Sequence, residues 1–206
     1  MAAAPRSRAN EVRIVGGLWK RSKLPVAALP GLRPTPDRVR ETLFNWLGQD
    51  LSGWRCLDAF AGSGALGFEA ASRGAAEVLL LEREPQLVAS LLASQKRLGA
   101  TSLRIERAEA LTWMARRAGQ SFDLVFLDPP FDAGLEAVAL KAALPLVATG
   151  GFLYLEAPQA LAEVPPGSML HRQARAGAVH FCLLRREGYT AAPFAATPAT
   201  PAAASE

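Results

Sequence analysis

The chain has 206 residues and a formal net charge of +4, a length that suits one domain able to bury a core without disulfides or metal. Cys56 and Cys182 match no zinc or redox spacing, which excludes a disulfide scaffold and favours a reducing compartment. The sequence has no apolar run of the roughly 18 residues that a membrane span requires and no signal-peptide core near its start, so we expect a cytoplasmic protein.

The charge is distributed unevenly along the chain. Residues 1–40 contain nine Lys and Arg against two Asp and Glu, whereas residues 41–206 contain 14 against 17. A basic segment in front of a slightly acidic body is typical of proteins that bind a polyanion. A solvated basic tail is the alternative interpretation, and the charge by itself does not separate the two.

The first predicted elements are a short strand, a basic arm and a helix. Residues 1–10 are predicted to be disordered, residues 12–15 to form a strand, and the Gly- and Pro-containing residues 16–34 to form an extended arm. The helix is predicted to begin with Thr35 as its N-cap and Pro36 in its first helical position.

From residue 51 onward, short apolar strands alternate with helices. The predicted strands are 55–60, 77–81, 103–107, 122–127 and 151–156, and the helices are 65–72, 85–98, 110–117 and 135–147. Two antiparallel strands, 169–174 and 179–186, follow, and the Ala- and Pro-rich residues 189–206 are predicted to be a disordered tail. This order predicts an α/β fold with a doubly wound, mostly parallel sheet, whose ligand crevice lies beyond the carboxyl ends of the strands.

A glycine-rich turn, Asp58-Ala-Phe60-Ala-Gly62-Ser-Gly64, follows the first of these strands. The two glycines allow the backbone to turn tightly and approach a ligand beside a helix N-terminus. Glu82 ends the next strand, where a carboxylate can accept both hydroxyls of a ribose. The spacing also fits a dinucleotide fingerprint, but Asp58 would repel a pyrophosphate and suits a cationic amino acid. The pattern is therefore typical of enzymes that use S-adenosylmethionine.

The segment Arg107-Ala-Glu109-Ala110 follows the third strand. A polar residue at this place can reach the edge of an adenine, although Glu109 can equally be an acid in the first turn of a helix. The predicted cofactor-binding residues are Asp58, Phe60, Gly62, Gly64, Glu82, Glu109 and Ala110.

The motif Asp128-Pro129-Pro130-Phe131, directly after the strand 122–127, indicates the chemistry. Its prolines stiffen the turn and leave carbonyl groups as acceptors, and Asp128 adds a carboxylate, so the turn suits an exocyclic NH2 group. Phe131 offers a face on which a flipped-out base can stack. Acceptors that hold the hydrogens of an aromatic amine free its lone pair to attack a methylsulfonium carbon, so catalysis depends mostly on positioning and electrostatics.

The sequence resembles a known family, the bacterial 16S ribosomal RNA guanine-N2 methyltransferases, which are class I S-adenosylmethionine-dependent enzymes. The similarity extends from Arg13 to about Glu187 and is most specific in residues 13–26 and 32–47. The resemblance implies a Rossmann-like seven-stranded sheet and transfer of a methyl group to guanine N2 of 16S rRNA, in the small subunit or an assembly intermediate. It also implies that Asp128, Pro129 and Phe131 hold the guanine.

The basic arm is predicted to contact RNA phosphates through Lys20, Arg21, Lys23, Arg33 and Arg38. Arg40 belongs to the same basic group, and for both Arg38 and Arg40 a solvent-facing position on the helix is the alternative. The predicted organisation is a disordered segment 1–10, an RNA-binding arm and helix 11–50, a methyltransferase domain 51–188 and a disordered tail 189–206. We expect a monomer with no metal ion and no membrane partner.

Several other functions are compatible with parts of the sequence. An amino methyltransferase could act on adenine N6 in DNA or on a protein glutamine, although the chain has no room for a DNA-recognition domain and glutamine enzymes usually have Asn in place of Asp128. A non-catalytic RNA-binding assembly factor could keep the same fold, and the intact Asp128 and glycine turn argue against it. An NAD-dependent oxidoreductase is disfavoured by Asp58.

Overall fold

The computed structural model describes residues 10–27, 35–117, 119–131 and 134–188. Residues 1–9 of the predicted disordered start and the predicted tail 189–206 lie outside the described residues, as does Arg33 of the basic arm. None of the helices in the described ranges is long and apolar enough to cross a membrane.

Strands and helices alternate through most of the chain. The strands in the described ranges are β1 (Asn10–Arg13), β2 (Lys23–Val26), β3 (Arg55–Asp58), β4 (Glu77–Glu82), β5 (Leu103–Arg107), β6 (Phe122–Leu127), β7 (Val147–Ala157), β8 (Ser168–Ala176) and β9 (Val179–Arg186). The α-helices there are α1 (Asp37–Trp46), α2 (Ala65–Ser72), α3 (Pro85–Leu98), α4 (Ala110–Ala115) and α5 (Glu136–Ala143), which a short 3-10 helix extends to Leu146.

Seven strands form one sheet in the order β5-β4-β3-β6-β7-β9-β8. The strands from β5 to β7 are parallel, and β9 and β8 are antiparallel additions at one edge. The predicted α/β fold with a doubly wound, mostly parallel sheet is therefore confirmed. The chain builds outward from β3 through β4 to β5 and then returns to the other side with β6, so the topological switch point lies between β3 and β6. A ligand crevice is expected at this point, beyond the carboxyl ends of these two strands.

Two apolar layers cover the sheet. On one face, buried side chains of α1, α2 and α3 pack together with those of β1 and β2, whereas α4 and α5 pack on the other face. This arrangement follows from the sequence, since the parallel strands are apolar on both faces and need a layer of helices on each.

The N-terminal part differs from its prediction. Residues 23–26, predicted to lie in an extended arm, form β2, which pairs antiparallel with β1. Leu24 and Val26 alternate with exposed neighbours and are buried in the core, together with Val12 and Ile14. We call residues 10–26 the N-terminal hairpin. The prediction failed because a four-residue strand with Pro25 at its centre is too short and too irregular to be distinguished from a loop.

Candidate active site

Acidic side chains meet at the carboxyl ends of β3 and β6, at the topological switch point. Asp58 ends β3, where it lies beside Phe126 of β6, and Asp128 comes directly after β6. Glu82 ends β4 on one side of this pair, and Glu156 lies near the end of β7 on the other side. The sheet therefore brings four carboxyl groups to one edge, as the sequence predicts for three of them.

The glycine turn joins β3 to α2 and fixes Asp58. Gly64 is the N-cap of α2 and has a left-handed φ of 80°, a conformation that favours glycine. The backbone N–H of Gly67 donates to Asp58 Oδ2 at 2.9 Å. A Cβ at Gly67 would lie 3.0 Å from the same oxygen, so a side chain there would push against the carboxylate. Glycine at position 67, in the first turn of α2, is thus favoured by close packing against Asp58.

Asp58 is a buried carboxyl group with no cation beside it. Its exposed fraction is 2%, and within the described ranges no Lys or Arg forms an ion pair with it. Burial raises the pKa of Asp58 to about 7, an effect that the hydrogen bond from Gly67 opposes and the nearby Glu82 and Glu156 reinforce. A cationic amino group at this place would compensate the buried charge, which fits the amino acid part of S-adenosylmethionine.

Glu82 and Glu109 are both held by backbone N–H groups. Glu82 accepts hydrogen bonds from Gly62 N and Glu84 N, each at 2.9 Å, which orients its carboxylate toward the glycine turn. Glu109 accepts from Leu111 N at 3.1 Å and Thr112 N at 2.7 Å, so it caps α4. Of the two roles predicted for Glu109, the structure shows the helix-terminal one, and its bonds to Thr112 lower the pKa of this exposed carboxyl group.

The remaining predicted cofactor residues line the same edge. Phe60 is half-buried in the glycine turn, and Ala110 is buried at the start of α4. Phe60 follows the end of β3 and Ala110 follows the end of β5, so the structure brings the whole predicted cofactor set to the carboxyl ends of β3, β4 and β5.

Asp128 is part of a polar cluster with Thr35, Tyr154 and Glu156. The Thr35 hydroxyl donates to Asp128 Oδ2 at 3.2 Å, and the Tyr154 hydroxyl donates to Glu156 Oε1 at 2.9 Å. Burial raises the pKa of Asp128 well above its usual value, and the charge of Glu156 raises it further. Burial also raises the pKa of Glu156, whereas Thr35 and Tyr154 lower it.

Thr35 does not have the role that the sequence predicts for it. Pro36 occupies the N-cap position of α1, and no side chain caps this helix. The Thr35 hydroxyl is instead directed to Asp128, which ties the start of α1 to the active site. As an N-cap, the Thr35 oxygen would accept a hydrogen bond from a backbone N–H of the first turn, an interaction worth about 1 kcal/mol. In the structure its hydroxyl donates to a buried carboxyl group instead.

Glu156 and Tyr154 are site residues that the sequence analysis missed. Glu156 is 2% exposed and lies near the end of an apolar strand, as Asp58 and Glu82 do. An acidic residue at the end of a buried strand was the signal that identified the other two carboxyl groups. It was overlooked here because no glycine turn or proline motif follows it.

Arg40 is not a surface residue that binds phosphate. It is fully buried and donates to Asp37 Oδ1 at 2.6 Å and to the carbonyl of Arg13 at 2.7 Å. Its guanidinium also lies 3.6 Å from Glu69, which accepts from Val15 N at 2.8 Å. Arg40 therefore joins α1, α2 and the N-terminal hairpin. The charge of this residue stabilises the fold and is not available to bind RNA.

The structure separates the predicted RNA-binding residues into two groups. Arg38 is exposed in the first turn of α1, close to Thr35 and thus to the active-site edge. Lys20, Arg21 and Lys23 are also exposed, but the neighbouring Leu18 and Trp19 hydrogen-bond to Ser72, at the far end of α2. Since α2 begins at the active site and spans about 12 Å, Lys20 and Arg21 lie toward the end of the sheet opposite the active site. Lys23 instead pairs in register with Arg13, whose side chain reaches Asp37 in the first turn of α1.

Comparisons with known proteins agree along most of the chain. A family model described as Conserved hypothetical protein 95 matches residues 12–185, a range that contains all the candidate site residues. Ribosomal RNA small subunit methyltransferase D of Escherichia coli (strain K12) is 42% identical over 185 residues, covering 88% of this chain and 93% of that protein. The protein of the same name from Haemophilus influenzae is 46% identical over 135 residues, or 64% and 70% of the two chains. The solved structure of Escherichia coli yhhF has a TM-score of 0.78 at 38% identity and covers 86% of this chain and 99% of that one.

Proposed function

The chain belongs to the ribosomal RNA small subunit methyltransferase D family, and from that membership we propose that it methylates the N2 amine of a guanine in 16S rRNA. The methyl donor is S-adenosylmethionine. The substrate would be the small ribosomal subunit or an intermediate in its assembly.

The observation that carries this proposal is the position of Asp128. Its carboxyl group is held by Thr35 beside Asp58, in the stiff turn made by Pro129 and Pro130. Hydrogen-bond acceptors in such a turn suit the two hydrogens of an exocyclic amine, and Phe131, which is half-exposed, can stack on the base.

A second carboxyl group beside Asp128 favours guanine over adenine. The N2 amine of guanine lies next to the N1–H, so the edge of this base carries adjacent donors, whereas adenine presents an acceptor next to its amine. Asp128 and Glu156 extend from neighbouring strands and place two potential acceptors side by side. This pairing supports guanine as the target base.

The cofactor would be held on the side of Asp128 where β3 and β4 end, away from Glu156. Asp58 would bind its amino group, Glu82 the ribose hydroxyls, and the backbone at Gly62 and Gly64 would allow close approach. When bound, the cofactor supplies an electrophilic methyl group on a positively charged sulfur. Phe60, Glu109 and Ala110 would border the adenine.

The work of the protein is to orient the amine and to receive its proton. Asp128 accepts a hydrogen bond from the N2 amine and directs the nitrogen lone pair toward the cofactor. The nitrogen becomes positively charged when it gains the methyl group and then loses a proton. The raised pKa of Asp128 makes this carboxylate a suitable acceptor for that proton.

The first prediction concerns Asp128→Ala. We expect this substitution to reduce methyl transfer to small-subunit particles by at least about 100-fold, because it removes the acceptor that positions the amine. Binding of S-adenosylmethionine, measured by calorimetry, should change by less than about threefold. The measurement is transfer of labelled methyl groups to particles, naked rRNA, DNA and protein, followed by identification of the modified nucleoside.

The identity of the product tests the target base directly. N2-methylguanosine from the wild type is the expected result, whereas label in N6-methyladenine or in protein would contradict the proposal. An Asp128→Ala variant that lost cofactor affinity while retaining turnover would contradict the role given to this residue. The Glu187→Gln variant, which changes an exposed carboxylate after β9, is the matched control.

A further inference from the structure

A cavity of about 320 Å³ opens at the carboxyl end of β7, beside the turn between β8 and β9. Its wall is partly apolar, with Leu155, Leu161 and Phe181 among the lining residues. The hydrogen-bonding side chains that line it are those of Gln159, Gln173, Arg175 and His180. An apolar wall with a few polar groups suits a flat ring with polar edges, such as a nucleobase.

The strands beside this cavity form a basic hairpin, which we define as residues 168–186. From residue 164 to residue 186 the chain has four Arg and two His and no Asp or Glu. Arg172 and Arg175 are exposed on β8, which is an edge strand of the sheet. Each donates one hydrogen bond to a backbone carbonyl, and neither forms an ion pair within the described ranges. Their remaining guanidinium donors can bind phosphate.

The position of the cavity relative to Asp128 separates it from the cofactor site. The strands β3, β4 and β5, which carry Asp58, Glu82 and Glu109 at or just after their ends, lie on one side of β6. The strands β7, β9 and β8 lie on the other side of β6. Ala157 at the end of β7 pairs with His180 near the start of β9, because these two strands are antiparallel. The cavity residues Leu155 and Cys182 belong to the face of the sheet that α4 and α5 cover, whereas Tyr154 and Glu156 lie on the α1 face. A substrate that presents its amine to Asp128 from the side opposite the cofactor therefore reaches the cavity by crossing the carboxyl end of β7.

We propose that this cavity binds a nucleobase of the substrate RNA near the target guanine. Arg175, which lines the cavity, and Arg172, on the other face of β8, would hold phosphates on either side of this edge strand. The inference rests on the proposed function, since it names the path of the RNA away from the active site. β6 and β8 are three strand spacings apart, or about 14 Å. Stacked nucleotides advance about 3.4 Å each, so the bound base lies within about four positions of the target, and closer if the RNA is extended.

The first test replaces the two arginines. We expect Arg172→Gln/Arg175→Gln to raise the KM for small-subunit particles about tenfold and to leave the Kd for S-adenosylmethionine unchanged. The slope of log affinity for 16S rRNA against log salt concentration should fall by about 1.5, because two phosphate contacts are lost. The matched control is Lys96→Gln/Arg104→Gln, which removes two exposed charges from α3 and the opposite edge strand β5.

The second test separates the cavity from the charges. Gln159→Ala/Gln173→Ala removes two uncharged hydrogen-bonding side chains, so we expect a higher KM with an unchanged salt slope. Cross-linking of 4-thiouridine-labelled 16S rRNA followed by peptide mapping should identify the basic hairpin.

The outcomes distinguish this inference from the proposed function. A hairpin variant with the same KM and salt slope as the Lys96/Arg104 control would overturn the inference, even if N2-methylguanosine is the product. A different methylated nucleoside would overturn the proposed target while the binding assay still tests the hairpin. Thermal unfolding of each variant establishes that it is folded.

Discussion

At the scale of single residues, the active site depends on carboxyl groups that are costly to bury. Asp58 is the clearest case, because burial raises its pKa from 3.8 to about 7 and no cation in the described ranges pairs with it. Such a group destabilises the folded protein near neutral pH, which is typical of a residue that binds a ligand. The cationic amino group of the cofactor is the partner that would offset this cost.

The stability of Asp58→Asn tests this interpretation. In the unfolded chain Asp58 loses its proton near pH 3.8, whereas in the folded protein it keeps the proton up to about pH 7. Between these values the folded state binds the additional proton, so the stability contributed by this group falls as pH rises. Asn cannot ionise, and its carbonyl can still accept from Gly67 N. We expect Asp58→Asn to be the more stable protein at pH 8, by up to about 4 kcal/mol.

The measurement is thermal unfolding of both proteins without cofactor from pH 4 to pH 8. The difference in Tm should be small near pH 4 and should grow to several degrees at pH 8. The same variant should bind S-adenosylmethionine more weakly, by calorimetry. An Asn variant that is less stable than the wild type at pH 8 would contradict the interpretation of Asp58 as an uncompensated charge.

Glu156 influences Asp128 through its charge, which gives a second prediction at this scale. The negative charge of Glu156 helps to raise the pKa of Asp128, and Asp128 must be ionised to receive the proton that the methylated amine loses. We expect Glu156→Gln to lower the pKa of Asp128 and to shift the acidic limb of the pH profile of kcat/KM to lower pH. The experiment is methyl transfer to small-subunit particles between pH 5.5 and 9.

The control for this experiment is Glu187→Gln, which removes a distant, exposed carboxylate. Its pH profile should match that of the wild type. An unshifted acidic limb in Glu156→Gln would show that the two carboxyl groups do not influence each other during turnover. Gln keeps an oxygen that can accept from the guanine edge, so loss of all activity at every pH would instead show that the base requires the negative charge of Glu156.

At the scale of secondary-structure elements, the regular part of the chain could be predicted from its sequence. The elements α2, α3, β5, β6 and β9 have the predicted bounds, because each is an apolar stretch between clear turn signals. The β7 strand begins at Val147, earlier than the predicted residue 151, since the predicted helix before it ends early. Its register with β6 shifts between residues 122 and 124, an irregularity that sequence periodicity does not show.

The elements that could not be predicted are those defined by long-range contacts. The β2 strand is held by its pairing with β1 and by burial against α1 and α2, neither of which leaves a local pattern. The same reason explains Arg40, whose acidic partner Glu69 is 29 positions away in sequence and adjacent only in the folded protein. In the candidate site, motif spacing identified Asp58, Glu82 and Asp128. Thr35 could not be identified in this way, because its contact with Asp128 depends on how α1 lies across the sheet.

At the scale of the whole molecule, the proposed cofactor site and the proposed RNA path lie on different sides of β6 in the sheet. The strands β3, β4 and β5 carry the glycine turn and the acidic residues that suit a cofactor with a positive charge. The strands β7, β9 and β8 carry the cavity and the basic hairpin that suit RNA. The N-terminal hairpin adds basic residues at a third place, toward the end of the sheet opposite the active site. RNA that is bound only at the active site does not extend to this place.

This placement predicts that the exposed charges of the N-terminal hairpin contribute to binding in a manner that depends on substrate size. We expect Lys20→Gln/Arg21→Gln to weaken binding to the small-subunit particle, because a large particle can cover both the active-site end of the sheet and the opposite end. The slope of log affinity against log salt concentration should fall for the same reason. Binding to a short RNA fragment that carries the target guanine should be unchanged.

These substitutions suit the question better than deletion of residues 1–34, since Ile14 and Leu24 belong to the core. Equal losses on particle and fragment, measured by fluorescence anisotropy across a salt series, would contradict the predicted separation. In that case the hairpin charges would have to act at the active-site edge, where the fragment binds.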